Sequence, residues 1–387
     1  MTDLTHFETC RNSPLPARTW VEIDLAAVRH NCRVAQSCLA EGEPGVLAVV
    51  KANGYGLGMV PVARAMVDLV RAFAVANVTE AEVLREAGIS LPVYILGPAL
   101  PEEHAAVVRG GFCAAVSTYE EVLSYGAEAE RQQRVLEIHV VIDTGMGRIG
   151  TLPEGAETIL RAVLESPHLK LDSTASHFPC ADDDPAYTRE QATRFSALIS
   201  GLKSKGLNLA RTQLTNSAGL TAYPRMEGGW VRAGLMLYGV SPVPAEQHRL
   251  QRVVTWMTRV TLVKQLPAGH GVSYGRAFIT TRPTKVATLA VGYADGFPRQ
   301  ASGQGAVVLI GGTRCPVLGR VTMDQIMVDV TDLPGAPRPG DIAVLVGTQG
   351  REEITAMDLA ARGGTIAWDL FTGLGPRVRR DYCNFIF

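Results

Sequence analysis

Short apolar runs alternate with amphipathic stretches through roughly the first two thirds of the chain. Trp20 to Asp24 alternates like a strand, and Leu25 to Leu39 repeats apolar residues at helical spacing. Gly45 to Val50, Phe73 to Val78, Leu91 to Leu96, Cys113 to Val116, Val135 to Ile142, Leu169 to Ser176, Arg211 to Thr215 and Trp230 to Leu235 read as strands. Helical patterns fill the intervals at Val60 to Val70, Pro101 to Arg109, Ser117 to about Glu130, Pro153 to Leu164 and Pro185 to Lys203. A further helix starts at Thr79, with Glu82 three residues on predicting a capping box. This alternation, with short turns, predicts parallel strands under covering helices. About eight such units in roughly 220 residues predict a TIM-type (β/α)8 barrel rather than an open sheet.

After about Pro244 the rhythm changes to short β-rich runs separated by Gly and Pro turns, which predicts a C-terminal all-β domain. A helix is expected at Thr355 to Arg362, and Ala367 to Phe371 fits helix or strand. The expected division is a flexible leader over 1–18, a barrel over 19–244 and a β-rich domain over 245–387. The first strand, 19–24, has the alternative of joining the β domain.

Composition narrows the class. Lys+Arg of 37 against Asp+Glu of 38 leaves no basic footprint for nucleic acid. No apolar run reaches the ~20 residues of a membrane helix. Met1 to Leu15 lacks the apolar core of a signal peptide. The 7 cysteines are scattered without a C-x-x-C, and the 8 histidines show no metal-binding spacing. A reduced cytoplasmic compartment and no structural or catalytic metal are expected.

The candidate chemistry begins at Val49-Val50-Lys51-Ala52-Asn53-Gly54-Tyr55-Gly56-Leu57-Gly58, where a buried strand delivers a lysine into a glycine-rich turn. Burial favours the neutral amine, a nucleophile toward carbonyls, whereas a lysine at a strand end also has the option of snorkelling into water. Lys51, Arg148, His177, Ser217 and Gly234 all fall at or just after strand C-termini, the chemical end of such a barrel. Arg148 sits among glycines in Asp143 to Gly150, either as a fork for a carboxylate or as a solvated turn residue. Ser217 is an anion ligand or a plain helix cap. His177 fits a role tuning a neighbour through a hydrogen bond, or a structural one. Tyr274, between glycines in the β region, is a base if a cation lowers its pKa, or else a hydrophobic anchor.

Together these segments resemble the alanine racemase family of fold-type III pyridoxal-phosphate enzymes. Val49 to Gly58 is similar to the family's V-K-A-N-x-Y-G-H-G motif. Asp143 to Gly150, Ser176 to Phe178, Thr215 to Ser217, Val231 to Gly239, Val272 to Gly275, Val291 to Gly296 and Met323-Asp324-Gln325 resemble further motifs in family order. The resemblance implies Lys51 as the Schiff-base lysine and Arg232 as the partner of the pyridine nitrogen. It implies Tyr55, Ser217, Gly234 and Leu235 at the phosphate, with Trp368 at a further phosphate position. Arg148, Met323, Asp324 and Tyr293 fall at substrate-binding positions. Tyr274 is implied as the second base, entering from the partner subunit of a homodimer with shared active sites, with His177 beside it as a cation. The implied activity is interconversion of L- and D-alanine, supplying D-alanine for peptidoglycan.

Four positions depart from the family pattern. Leu57 replaces a histidine, Val141 a lysine (often carbamylated) that helps hold the substrate arginine, Thr322 a cysteine, and Trp368 a tyrosine that bonds the cofactor phosphate. A racemase of serine or broader range, a non-catalytic pyridoxal-phosphate-binding protein and a related amino-acid decarboxylase are the other readings. The β region containing Tyr274 argues against the non-catalytic one.

Overall fold

The computed structural model describes residues 15–39, 45–209, 211–223 and 229–384. Most of the expected leader lies outside these residues. Among the described residues no helix is long and apolar enough to cross a membrane, and no cluster of His, Cys, Asp and Glu is placed to hold a metal.

The first strand, β1 (Thr19–Asp24), does not enter the barrel. Eight parallel strands follow: β2 (Gly45–Val49), β3 (Ala72–Val75), β4 (Val93–Ile95), β5 (Cys113–Val116), β6 (Leu136–Val141), β7 (Leu169–Ala175), β8 (Thr212–Gln213) and β9 (Trp230–Ala233). Each pairs with its sequence neighbour from β2 to β8, and β9 pairs back onto β2 with Gly45 opposite Trp230. A parallel bridge between Asn216 and Arg232 completes the ring. Strands β3, β4 and β5 are buried at every residue, because side chains of one parity fill the barrel and those of the other meet helices. In β2, Leu47 and Val49 pack inside with Ala72, Ala74, Tyr94 and Cys113, while Val46 and Ala48 join the larger helix-facing core.

The second sheet has nine strands and is built around the long β10 (Val254–Leu266). Strand β10 runs antiparallel to β1, with Thr19 opposite Thr258 and Ile23 opposite Val254. It also pairs with Thr284–Leu289 and Ile342–Gln349, so the sheet curls back on itself. The last strand, Arg379–Cys383, lies parallel to β1 on its other side. Both ends of the chain therefore contribute to this sheet. Asp24 ends β1 and caps the helix Leu25–Ser37 by accepting a hydrogen bond from the Ala27 N–H, which turns the chain into the barrel.

Local differences from the sequence expectation have simple causes. The helix expected to be capped at Thr79 is capped two residues earlier, by Asn77, which accepts from the Glu80 N–H at 3.0 Å, and it begins at Val78. Ala367–Thr372 is helical. Arg379–Cys383 was not expected as a strand, since R-R-D-Y-C has no apolar alternation; β1 supplies its partner.

Candidate active site

A cavity of about 540 Å³ opens at the C-terminal end of the barrel strands. Lys51, Tyr55, Arg148, His177, Ser217, Arg232, Gly234, Leu235 and Trp368 all line it. The segments after β2, β6, β7, β8 and β9 supply seven of them, β9 itself supplies Arg232, and the helix Ala367–Thr372 supplies Trp368.

The backbone that presents Lys51 is unusual. Ala52, Asn53 and Gly54 lie at φ 52 to 63° and ψ 46 to 49°, and Tyr55 follows at φ 53°. This is one turn of left-handed helix, costing roughly 1–2 kcal/mol per non-glycine residue. Three sets of contacts hold it. Glu80 accepts from the Ala52 N–H at 2.6 Å and the Ala76 N–H at 2.8 Å. Asn53 Oδ1 accepts from the Met59 N–H at 3.0 Å. On the far side, Arg380 Nε donates to the Gly56 carbonyl at 2.9 Å, and Tyr382 Oη donates to the Leu57 carbonyl at 3.1 Å. Leu57 itself is fully buried in the helix-facing core, so its departure from the family histidine is a packing matter. Burial lowers the Lys51 pKa, the Arg148 charge lowers it further, and Glu80 opposes the shift. The amine is thus biased toward its neutral, nucleophilic form.

Arg232 is buried and densely bonded. Its NH1 donates to the Gln213 backbone carbonyl at 2.9 Å and to Gln213 Oε1 at 3.3 Å. Its NH2 donates to the carbonyls of Ser176 and Leu214 and to His177 Nδ1 at 3.2 Å. Burial, then the Arg148 charge, pushes its pKa down to about 10, which still leaves it cationic at neutral pH. Its Nε–H has no acceptor among the described residues. Gln213 is tied in turn to Ser173 Oγ at 2.7 Å, and Ser173 to Asp172 at 2.8 Å, a carboxylate that also accepts from Tyr94 and Arg211.

The Arg232 contact defines the state of His177. A guanidinium only donates, so Nδ1 accepts and Nε2 carries the proton. Burial, with Arg232, Arg148 and Lys51 nearby, holds the imidazole pKa well below its usual value. The cation expected at His177 is therefore replaced by a neutral ring. Asn216 Nδ2, 3.3 Å from Nε2, cannot accept that proton: Asn216 is fixed by accepting from the Gly219 N–H and donating to the Phe178 carbonyl. The His177 Nε2–H is left with no acceptor among the described residues.

Elsewhere on the lining, Ser217 Oγ accepts from the Gly234 N–H at 2.9 Å. Gly234 is required here, because a Cβ would lie 2.5 Å from Tyr55 Oη. Tyr55 stacks on Tyr238, with ring centroids 4.5 Å apart, and Tyr238 Oη donates to the Val49 carbonyl. Burial pushes the Tyr55 phenol up to about 12, so it stays a donor. The Tyr55 and Ser217 hydroxyls are donors, and Gly234, without a Cβ, leaves room beside them; together they form a small cradle suited to a phosphate. With a biased amine on one side and a buried guanidinium across the cavity, the residues present fit pyridoxal phosphate. Trp368, half-buried, brings indole bulk and one N–H donor to the rim.

Arg148 is exposed on a loop organised by Asp143, whose carboxylate accepts from the N–H groups of Gly145, Met146 and Gly147, each at 2.8 Å. At the family's lysine position, Val141 is buried in an apolar cluster with Ala115, Ala175 and Ile149. The arginine is therefore placed by its loop and by Ile149 on this floor.

Tyr274, Tyr293, Met323 and Asp324 do not line the cavity. Tyr274, Tyr293 and Met323 are 71%, 40% and 53% exposed on loops of the β domain. Those loops are joined: the Tyr293 N–H donates to the Thr322 carbonyl, the Ala294 N–H to the Met323 carbonyl, and Ser273 Oγ to the Arg320 carbonyl. The Asp324 carboxylate is occupied by Arg377 at 2.6 Å.

Sequence reading missed His139, Gln213, Tyr238 and Glu80. His139 precedes Val141 by two residues on β6, and that shared parity was the available signal. Its Nε2 donates to the Ile95 carbonyl at 2.9 Å, and its buried Nδ1 has no partner among the described residues. Burial pushes its pKa down to about 4, below the ~6.5 of an unfolded histidine. The unfolded chain therefore takes up the proton first. Stability from this group is intact above pH 6.5 and is lost as the pH falls toward 4, by on the order of 3 kcal/mol. Urea unfolding midpoints measured from pH 7 to 4.5 should fall, and His139→Gln should flatten that fall; an equal slope in the variant would refute the assignment.

Comparisons with known proteins agree with this geometry. Residues 23–242 match the family model "Alanine racemase, N-terminal domain", and residues 253–382 match "Alanine racemase, C-terminal domain". An alanine racemase of Halothermothrix orenii is 38% identical, covering 97% of this chain and 99% of the relative. One of Symbiobacterium thermophilum is 42% identical, covering 94% and 97%. The crystal structure of alanine racemase from D-cycloserine-producing Streptomyces lavendulae superposes with a TM-score of 0.87 at 34% identity, covering 96% of this chain and 98% of that one. With both domains matched nearly end to end, the chain belongs to the alanine racemase family and is an isomerase of that family.

Proposed function

We propose that this chain interconverts L- and D-alanine with pyridoxal phosphate held on Lys51, using Lys51 and the partner subunit's tyrosine at position 274 as bases on opposite faces. One observation carries the reading: a lysine biased toward its neutral form shares a cavity with a buried cationic arginine, a donor cradle and an exposed arginine. When bound, the cofactor makes the substrate α-carbon acidic. The protein residues do the rest. Arg148 receives the substrate carboxylate. Arg232 would be the residue at the ring nitrogen, its Nε–H the donor left for it, and its positive charge would disfavour a second one there. Tyr55, Ser217 and Gly234 hold the phosphate. Lys51 handles the proton of D-alanine and Tyr274 that of L-alanine.

The neutral His177 fits this scheme differently from a cation. Its Nε2–H, fixed by the Arg232 bond at Nδ1, is a donor for a phenolate oxygen and favours the ionised tyrosine by hydrogen bonding. Exposure of Tyr274, Tyr293 and Met323 on joined loops supports a homodimer in which each β domain completes the other barrel's site. The D-alanine product is a precursor for peptidoglycan made in the cytoplasm.

The test is racemisation in deuterated buffer. L-alanine should lose optical activity and its α-proton together, and a yellow, borohydride-bleachable protein should accompany this. Comparable turnover of L-serine or larger amino acids would establish the broader specificity instead. A coloured protein that exchanges no α-proton would mark a cofactor-binding protein without this activity.

A further inference from the structure

The Arg148 loop is held by a second element. Three residues of the helix Pro185–Ser204 reach Thr144 and Gly145 near its start. Tyr187 Oη donates to the Gly145 carbonyl at 3.1 Å, Arg194 NH1 to the Thr144 carbonyl at 2.9 Å, and Gln191 Nε2 to Thr144 Oγ1 at 3.0 Å. Spacings of four and three place these side chains on one helix face. Gly145 makes room for the contact, since a Cβ there would lie 2.1 Å from Tyr187 Oη.

Gln191 is the centre of this contact. It is fully buried, and its Nε2 also donates to the His177 carbonyl at 2.8 Å. One amide nitrogen thus ties the loop carrying Arg148 to the segment carrying His177. Thr144 Oγ1 strengthens the link, 2.7 Å from Ser176 Oγ. The Gln191 Oε1 is buried with no partner among the described residues. An apolar side chain of the same length would fill this space without an unsatisfied oxygen, so only its donors account for the amide.

We propose that Gln191 is a positioning residue for the substrate carboxylate: acting through Thr144, it sets the place of Arg148 in the cavity, a task that the apolar Val141 cannot perform from the barrel floor. The proposal rests on the reading of Arg148 as the carboxylate ligand.

The experiment titrates the holoenzyme with propionate, a carboxylate without a reactive amine, by calorimetry, alongside KM and kcat for L-alanine. In Gln191→Met, propionate Kd and alanine KM should both rise about tenfold, the order expected for a buried donor removed, with kcat changed less than about threefold. Thr144→Val, which removes the acceptor together with its Ser176 contact and leaves Gln191 in place, should shift affinity in the same direction and decides the matter should Gln191→Met fail to fold. Propionate affinity within about twofold of wild type in the folded variant overturns the proposal, as does a fall in kcat with affinity unchanged. Should the wild type bind propionate without racemising alanine, the proposed reaction fails while the affinity comparison still decides the role of Gln191. Equal, negligible propionate binding by wild type and Arg148→Ala overturns both.

Discussion

Lys51→Ala should lower alanine racemisation by about four orders of magnitude or more and abolish the borohydride-sensitive colour, while leaving the fold intact. The argument begins at the end of β2, where the lysine leaves a fully formed strand for a cavity rather than for solvent. Burial and the Arg148 charge both favour its neutral amine, the form that the proposed roles of nucleophile and base require. No other lysine lines the cavity, so nothing present can replace it. The left-handed turn starts after position 51, and Lys51 itself is not among the positive-φ residues, so alanine is tolerated by the backbone. Its thermal midpoint should therefore lie within a few degrees of wild type. A small added amine should restore part of the rate, since the missing group is a base in an otherwise complete cavity. Activity within tenfold of wild type would remove Lys51 from the chemistry.

Tyr274→Phe should cost about three orders of magnitude in L-to-D turnover while cofactor content stays at the wild-type level. Only the hydroxyl is removed, from a side chain that is 71% exposed and absent from its own chain's cavity. Its stability should be nearly unchanged, as for other surface substitutions. The same exposure yields a sharper measurement. Mixed and reassorted in equal amounts, Lys51→Ala and Tyr274→Phe chains should form about half mixed dimers, each with one intact site of two. The preparation should then recover about a quarter of wild-type activity. A mixture as inactive as its components would mean that Tyr274 serves its own chain, and an active Tyr274→Phe enzyme would mean that it serves no site.

The barrel was legible because its strands are short, apolar and regularly spaced, and because parallel strands covered on both faces leave unbroken hydrophobic runs. The residues around the cavity were legible because they stand at strand ends in marked company: a lysine before glycines, an arginine among glycines, a serine before a helix. What stayed hidden is what distance along the chain conceals. The carbonyls that hold Arg232 come from β8 and from segments following β7 and β8, and Gln191 reaches Thr144 across 47 positions. The neutral state of His177 follows only from seeing which of its nitrogens meets the guanidinium. Likewise K-A-N-G-Y announces a turn, but its handedness depends on Glu80 and on the C-terminal segment, neither of which is local.

That left-handed turn limits how the sequence can drift. Ala52, Asn53 and Tyr55 exclude β-branched substitutes by conformation alone. A Cβ at Gly56 would lie 2.1 Å from the Phe371 carbonyl oxygen, and one at Gly58 would lie 2.0 Å from Tyr382 Oη. Of residues 52–58, only Tyr55 lines the cavity, so these constraints do not arise from the site. They come from backbone handedness and from the way the end of the chain docks on the loop. Intolerance of substitution across 52–58 is thus a property of architecture, and a mutational scan would overstate the catalytic importance of every residue there except Tyr55.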